Sequence, residues 1–432
     1  MTAGIIAILF FTLLSLTFLT LSQQRIRDYG LIEGSIIGFL YFMAIPIGIS
    51  MLAGPLRDPH FRAPAYDALT DINTTSNIFI GWFSLICTHF VTCKMAGARS
   101  HISTSFSDPR RDISILLLVT AAMTLFVFFL SGKQHGGHWM ELKGAAFRAN
   151  TSFILVANFA NALRAMLFGG IIYAYHRGTI HQRQAIIIGL TYAIFDLIVS
   201  FNRITLSYFA IMACLIYWRR MPLIALVGTI AAPVITYLSN FWGTFRAIVL
   251  QNGLSTSNVL NAAKISSLAT NAQEETTSRT LNAFFESSNI QVLHYIIDNY
   301  PANFSILYGE TFVVRTIGIL IPSTIWANKP TSFGVRLGEQ IMDIRGLALN
   351  STLFGEAYAN FYFLWVPALM LYLVIISALF RYIARINPMA GPMSIFVGFA
   401  LWRFDPSFGA ICIVTALIFL FALRLTHVRS GN

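Results

Sequence analysis

Charge is the first thing this sequence has little of. Only 11% of its 432 residues are Asp, Glu, Lys or Arg, whereas 56% are apolar and Phe alone occurs 37 times. A water-soluble domain carries about 25% charged residues, so the composition excludes an ordinary soluble fold. Cysteine is also scarce. Cys87, Cys93, Cys214 and Cys412 lie in or beside apolar runs with no CxxC spacing, which excludes a disulfide framework and leaves them as apolar filler. No Walker A sequence and no Rossmann fingerprint occurs, so an ATP-driven pump has no support. The opening AGIIAILFFTLLSLTFLTL is longer than the apolar core of a signal peptide and reads as a first span.

What the chain does have is apolar runs. A helix of about 20 residues crosses a hydrocarbon core about 30 Å thick, and such runs recur. The pattern predicts an all-α polytopic membrane protein with eleven spans, at 3–21, 35–53, 77–93, 113–130, 152–174, 185–200, 204–217, 221–239, 363–380, 390–402 and 407–423. Three regions follow: an N-terminal bundle over 1–239, a large loop over 240–362, and C-terminal helices over 363–432. No internal repeat is visible, which disfavours transporter folds built from duplicated halves.

Basic residues orient the spans. One set of connections carries Arg25, Arg27, Lys94, Arg99, Arg110, Arg111, Arg177, Arg183, Arg219, Arg220, Arg381, Arg385, Arg424 and Arg429. The opposite set carries Arg57, Arg62, Lys133, Lys143, Arg148, Arg203 and Arg403. The two-fold excess puts the C-terminus in the cytoplasm, and the N-terminus and the long loop outside. In that setting a net charge of +11 reports orientation and the handling of an anionic substrate, with no nucleic acid implied. Loops beyond 100 residues rarely lack a use. This one ends in an apolar stretch, FVVRTIGILIPSTIW, too short and broken for a span. It suits an amphipathic or re-entrant element at the lipid surface.

Several polar groups stand out. Arg164, in a span with Asn158 and Asn161 on the same helical face, either pairs with Asp196 or meets an anionic substrate. Arg203, Arg246, Arg315 and Arg336 lie at or near the outer face, where guanidinium forks can hold a diphosphate; the alternative is scattered interfacial charge. Arg315 is the sharpest, a lone guanidinium among Val and Ile. Glu310, Glu339 and Glu356 are the loop acids nearest apolar surface, where a carboxylate suits general-base work. Glu356 also has the plain reading of an acid in a first helical turn. Tyr358 and Asn360 either orient a sugar hydroxyl or anchor the next span. Trp242, Tyr300, Tyr308 and Trp326 are aromatics for sugar faces or for the membrane interface. KQHGGHWME offers His135, His138 and Glu141, but its paired glycines argue against a regular metal-binding helix.

The order of these features resembles the O-antigen and capsular polysaccharide repeat-unit polymerases, the Wzy-type enzymes. Many spans precede one long outer loop, with ILIPSTIWANKP followed by NSTLFGEAYANFYFLWV. Gly355, Glu356, Tyr358, Asn360 and Phe361 match the family's pattern before the next span, while Tyr362 stands where the pattern has glycine. The resemblance implies a GT-C-like glycosyltransferase in the bacterial inner membrane, with its active face in the periplasm. Its substrate would be an undecaprenyl-diphosphate-linked oligosaccharide, its product O-antigen or capsule polymer, and a chain-length regulator its candidate partner. It implies Glu356, Arg315 and Arg246 as catalytic, with no cofactor and no metal required; the reading of the residues themselves adds Arg164, Arg203, Arg336, Glu310, Tyr358 and Asn360 as substrate-binding. An O-antigen ligase is the neighbouring enzyme reading. A lipid-linked oligosaccharide flippase is the reading from a different class, and it draws on Arg164 and Asp196.

Overall fold

Inside a bilayer no water is available to backbone amides, so an apolar run closes its own hydrogen bonds as a helix. The computed structural model follows that rule, with 83% helix and no strand among the described residues. The structure describes residues 9, 12–17, 30–48, 65–95, 109–131, 151–201, 203–217, most of 241–271, 288–321, 325–326, 328–343, 348–386 and 388–430. The expected spans 3–21 and 221–239 lie largely or wholly outside these residues, as do His135, His138 and Glu141.

The helices are α1 (Leu31–Phe39, continued through a π-turn at Leu40–Ala44), α2 (Ile72–Met95), α3 (Pro109–Leu130), α4 (Thr151–His176), α5 (Gln182–Ser200) and α6 (Ile204–Ile216). Then come α7 (Thr256–Asn271), α8 (Ser288–Asn299), α9 (Phe333–Met342), α10 (Leu353–Phe361), α11 (Trp365–Ile386), α12 (Ala390–Ala400) and α13 (Ser407–Ser430). Six segments among the described residues are long and apolar enough to cross a membrane: Leu31–Gly48, Ile72–Cys93, Arg110–Leu130, Leu155–His176, Gln182–Ser200 and Leu353–Ile386. Three shorter apolar helices accompany them, at Ile204–Ile216, Ala390–Ala400 and Ser407–Phe419. The protein is a helical membrane protein.

Helix α12 forms the spine of the bundle, packed between α1 and α4. Hydrocarbon tails are as apolar as Leu, so helices in lipid gain little from hiding apolar side chains and associate instead through close backbone approach. Gly34 of α1 and Gly398 of α12 provide it. A Cβ on Gly34 would fall 1.9 Å from the Ile395 carbonyl oxygen, and one on Gly398 would fall 1.9 Å from that of Leu31. At the end of this spine Trp402 is fully buried and donates its indole N–H to the Ser35 carbonyl at 2.7 Å.

A buried ion pair ties α3, α4, α5 and α6 together. Arg164 donates to Asp196 Oδ1 from Nε at 3.0 Å and from Nη2 at 2.6 Å. The same guanidinium reaches Asn161 and Thr124, and the Thr205 hydroxyl donates to the other Asp196 oxygen. The structural alternative weighed for Arg164 is therefore the one realised. Its donors serve Asp196, Asn161 and Thr124 of its own bundle.

The expected loop 240–362 is largely helical where described. Helix α8 packs on α10, on the start of α2 and on the short helix Ala65–Thr70. The apolar stretch around Arg315 folds as a π-turn at Glu310–Val314 and a single helical turn at Arg315–Gly318, packed on α10 and α13. Among the described residues it is not one of the segments long and apolar enough to cross a membrane. Helix α10 falls within the expected loop 240–362, starts one turn before Glu356 as the first-turn reading of that acid has it, and continues into α11 through a 3-10 turn at Tyr362–Leu364.

Candidate functional site

The site is built around α10 and the turn that joins α12 to α13. Helix α10 starts at Thr352, whose hydroxyl accepts the Gly355 N–H at 3.1 Å as an N-cap. Gly355 lets α8 come close, since a Cβ there would lie 2.6 Å from Ile296 Cδ1. Phe354 fixes the rotation of the helix. Its ring meets Trp402 edge-on at 4.7 Å and also contacts Trp365 and Phe39. With Phe354 held against the spine, Glu356 turns toward Thr311 and the α12–α13 turn.

Glu356 is 1% exposed. Ser351 Oγ donates to its Oε2 at 3.1 Å, while Oε1 makes no direct hydrogen bond among the described residues, though the Thr311 hydroxyl stands beside the carboxylate. The charged groups beside it are Asp405 and Arg315. A buried carboxylate oxygen left unpartnered costs about 1–3 kcal/mol, and such groups persist where something else makes use of them.

Arg315 and Asp405 pair in front of it. Arg315 Nε donates to Asp405 Oδ2 at 3.0 Å and Nη1 donates to the Pro330 carbonyl at 2.7 Å. The other Asp405 oxygen accepts from the backbone N–H and hydroxyl of Ser407. The turn is secured from α11, where the Tyr372 hydroxyl donates to the Pro406 carbonyl at 2.6 Å. Side-chain exposures of 14% for Arg315 and 17% for Asp405 make this pair the accessible edge of the cluster.

Two residues before Asp405, the same turn carries Arg403 into a second cluster, with Arg203 and Arg246. Phe201 closes α5 in a left-handed conformation and stacks on Trp242 at 5.9 Å, which brings the 241–249 segment beside Arg203. Burial first, then the like charges of Arg203 and Arg403, push the Arg246 guanidinium down to about 10. A cation held among cations is a seat for an anion, and guanidinium forks suit phosphate oxygens.

The remaining expected residues divide. Arg336 and Glu310 pair bidentately with one another in a partly exposed ion pair. Asn360 is fully buried. Its amide donates to Thr311 Oγ1 and to the Glu356 carbonyl, both at 2.8 Å, and its oxygen accepts from Thr311 and Phe312 N–H. It pins the 310–314 turn to α10 and has no hydrogen left for a sugar. Tyr358 sits partly exposed, edge-on to Tyr362. Of the four expected sugar aromatics, Tyr308 is open at 82% exposure, Tyr300 is core, Trp242 is spent on Phe201 and Trp326 lies against Gly318. Glu339 sits on α9, outside the cluster.

Sequence reasoning missed Asp405 and undervalued Arg403. The available signal was WRFDPS, a cation and an acid beside a proline between two short apolar helices.

These features define a class, a polytopic helical membrane protein with a buried acid, an ion pair and an arginine cluster at one end of its bundle. No family model, curated protein or solved structure matches the chain.

Proposed function

We propose that the protein is a lipid-diphosphate-dependent glycosyltransferase of the bacterial inner membrane. It polymerises undecaprenyl-diphosphate-linked oligosaccharide units for O-antigen, capsule or exopolysaccharide. In this reading the six long and three shorter apolar helices join the apolar runs 3–21 and 221–239 in an eleven-span, GT-C-like topology. The end carrying α8–α10 faces the periplasm and the C-terminus the cytoplasm.

The observation that carries the reading is the α12–α13 turn, which offers Arg403 to an arginine cluster and Asp405 to a buried acid site two residues later. Arg203, Arg246 and Arg403 take the diphosphate of the donor. The acceptor hydroxyl attacks the anomeric carbon, and its proton passes to Oε1 of Glu356, the oxygen with no direct hydrogen bond. The bond from that carbon to the diphosphate breaks, and the lipid diphosphate leaves with the electron pair. Arginine charge stabilises it without need of a metal. Arg315 and Asp405 frame the opening to Glu356, and Tyr308 is the exposed ring for a sugar face. The internal pairing of Arg164 with Asp196 removes the feature that favoured a flippase.

The test is purified protein incubated with defined lipid-linked units, without nucleotide or metal, followed by product sizing. Ladders of multiple repeats are expected. Transfer to a lipid A-core acceptor without ladder formation would replace polymerase by ligase, and movement of the unit across vesicles without bond formation would replace both.

A further inference from the structure

Outside the Glu356 cluster, the start of α2 and helix α8 share a polar cluster to which the proposed reaction gives no role. Asp71, His294 and Asp298 bring three donor atoms within 4.8 Å of one another. Thr74 stands between them. Its backbone N–H and its hydroxyl both donate to Asp71 Oδ2, at 2.8 and 2.7 Å. The hydroxyl lies 2.8 Å from His294 Nδ1 as well.

A hydroxyl has one hydrogen. Since it goes to Asp71, Thr74 Oγ1 can only accept from His294, and Nδ1 is the ring nitrogen that carries hydrogen. The other nitrogen, Nε2, is thereby turned to Asp298 Oδ2 at 3.2 Å. Nδ1 also lies 3.7 Å from Asp71 Oδ2, so without a metal the ring sits between two carboxylates. With one ring N–H held by a polar partner, as behind metal-binding histidines, Nε2 is placed to give its lone pair to an ion instead. A nitrogen and an oxygen on one Zn2+ ion, each about 2.1 Å from it, stand about 3.0–3.4 Å apart for angles between octahedral and tetrahedral. The observed separation lies within that window. His294 and Asp298 are four residues apart on one helix, so they share a face. Their side chains are 24% and 49% exposed, which leaves room for water to complete the shell.

The geometry points to a divalent transition-metal site of the Zn2+ type, with His294 Nε2 and Asp298 Oδ2 as ligands and the Thr74–Asp71 pair holding the imidazole in register. Its place suggests its use. Both ligands lie on α8, so the metal staples one turn of the helix that packs on α10 beside Gly355. Imidazole nitrogen selects Zn2+ over Mg2+ and Ca2+, which prefer all-oxygen shells.

The experiment uses tag-free full-length protein in detergent, stripped with a chelator and titrated with Zn2+ against a chromophoric zinc indicator. The same samples are followed by thermal unfolding. Wild type is expected to bind Zn2+ stoichiometrically with a rise in Tm, and a large excess of Mg2+ should not compete. His294→Ala should lose one equivalent. Asp298→Asn, a near-isosteric change at a side chain 49% exposed, should bind at least about 10-fold more weakly and lose the Tm response. Thr74→Val should weaken binding by about 10–100-fold. Zn2+ binding in wild type that is absent, or unchanged in both His294→Ala and Asp298→Asn, would overturn the site.

Discussion

Arg315 and Asp405 meet at 3.0 Å across ninety residues of chain, from the helical turn after the 310–314 π-turn to the connection between α12 and α13. The pair is the accessible neighbour of Glu356, so each partner has two tasks: neutralising the other and shaping the opening.

The first prediction follows from that double duty. Arg315→Ala is expected to lower the initial rate on a synthetic lipid-linked unit by at least about 100-fold, the scale on which a small misplacement of the groups shaping a site is felt. Arg315→Lys should recover only part, because an ammonium keeps the charge and loses the fork that serves Asp405 and Pro330 together. The Arg315→Ala/Asp405→Asn double variant should be no slower than the worse single one. Additive losses would mean that the two residues act separately.

Glu356→Gln keeps the shape of the side chain and removes its ability to take a proton. The expected result is a fall in kcat of at least about 100-fold with KM within about 3-fold, the pattern of a group used only in the transition state. A raised KM with kcat intact would instead make Glu356 a binding residue.

Arg246 should separate stability from activity. Its folded-state proton affinity is depressed by burial and by Arg203 and Arg403. Below pH 10 folded and unfolded chains both hold the proton, and the folded state bears the repulsion. That burden lifts only as pH rises from about 10 toward the unfolded value. Arg246→Gln removes it at neutral pH, so Tm should rise while polymerisation falls at least about 10-fold. Pyrophosphate should raise the Tm of wild type and not of the variant. A lowered Tm without ligand would refute the cation cluster.

Tyr362 adopts φ 48° and ψ −117°, a conformation that favours glycine, at the position where the polymerase pattern has glycine. Strain of this kind costs about 1–3 kcal/mol. Tyr362→Gly should therefore be neutral or stabilising by thermal unfolding. Tyr362→Val, β-branched in the same conformation, should destabilise relative to wild type. Equal Tm values for Gly and Val would show that the backbone there relaxes freely.

The spans were legible because lipid imposes one rule, and apolar length reports it directly. Nine of the predicted spans recur as apolar helices within several residues of the expected bounds, though 363–380 proved to begin at Leu353. The Arg164–Asp196 pair was legible for a similar reason, since a charge in hydrocarbon must find its complement among few candidates. The site was harder. Arg203, Arg246, Arg315 and Arg336 looked alike as interfacial cations. What separates three of them is what the tertiary fold delivers: Glu310 to Arg336, Asp405 to Arg315, and the charges of Arg203 and Arg403 to Arg246. That sorting depends on chain closures of 26 and 90 residues, which local pattern does not encode. Asn360 misled because the same amide that can hold a sugar also suits a backbone turn.

The short connection Arg403–Phe404–Asp405 is clamped on both sides, by Trp402 on the Ser35 carbonyl and by Tyr372 on the Pro406 carbonyl. Its two charged side chains therefore share a single mechanical reference. A shift of the turn by a fraction of an ångström would displace the grip on the departing phosphate and the gate to the incoming hydroxyl together and in fixed proportion. In the proposed reaction, donor and acceptor are thus gauged by one rigid ruler, and alignment of one is a readout of alignment of the other.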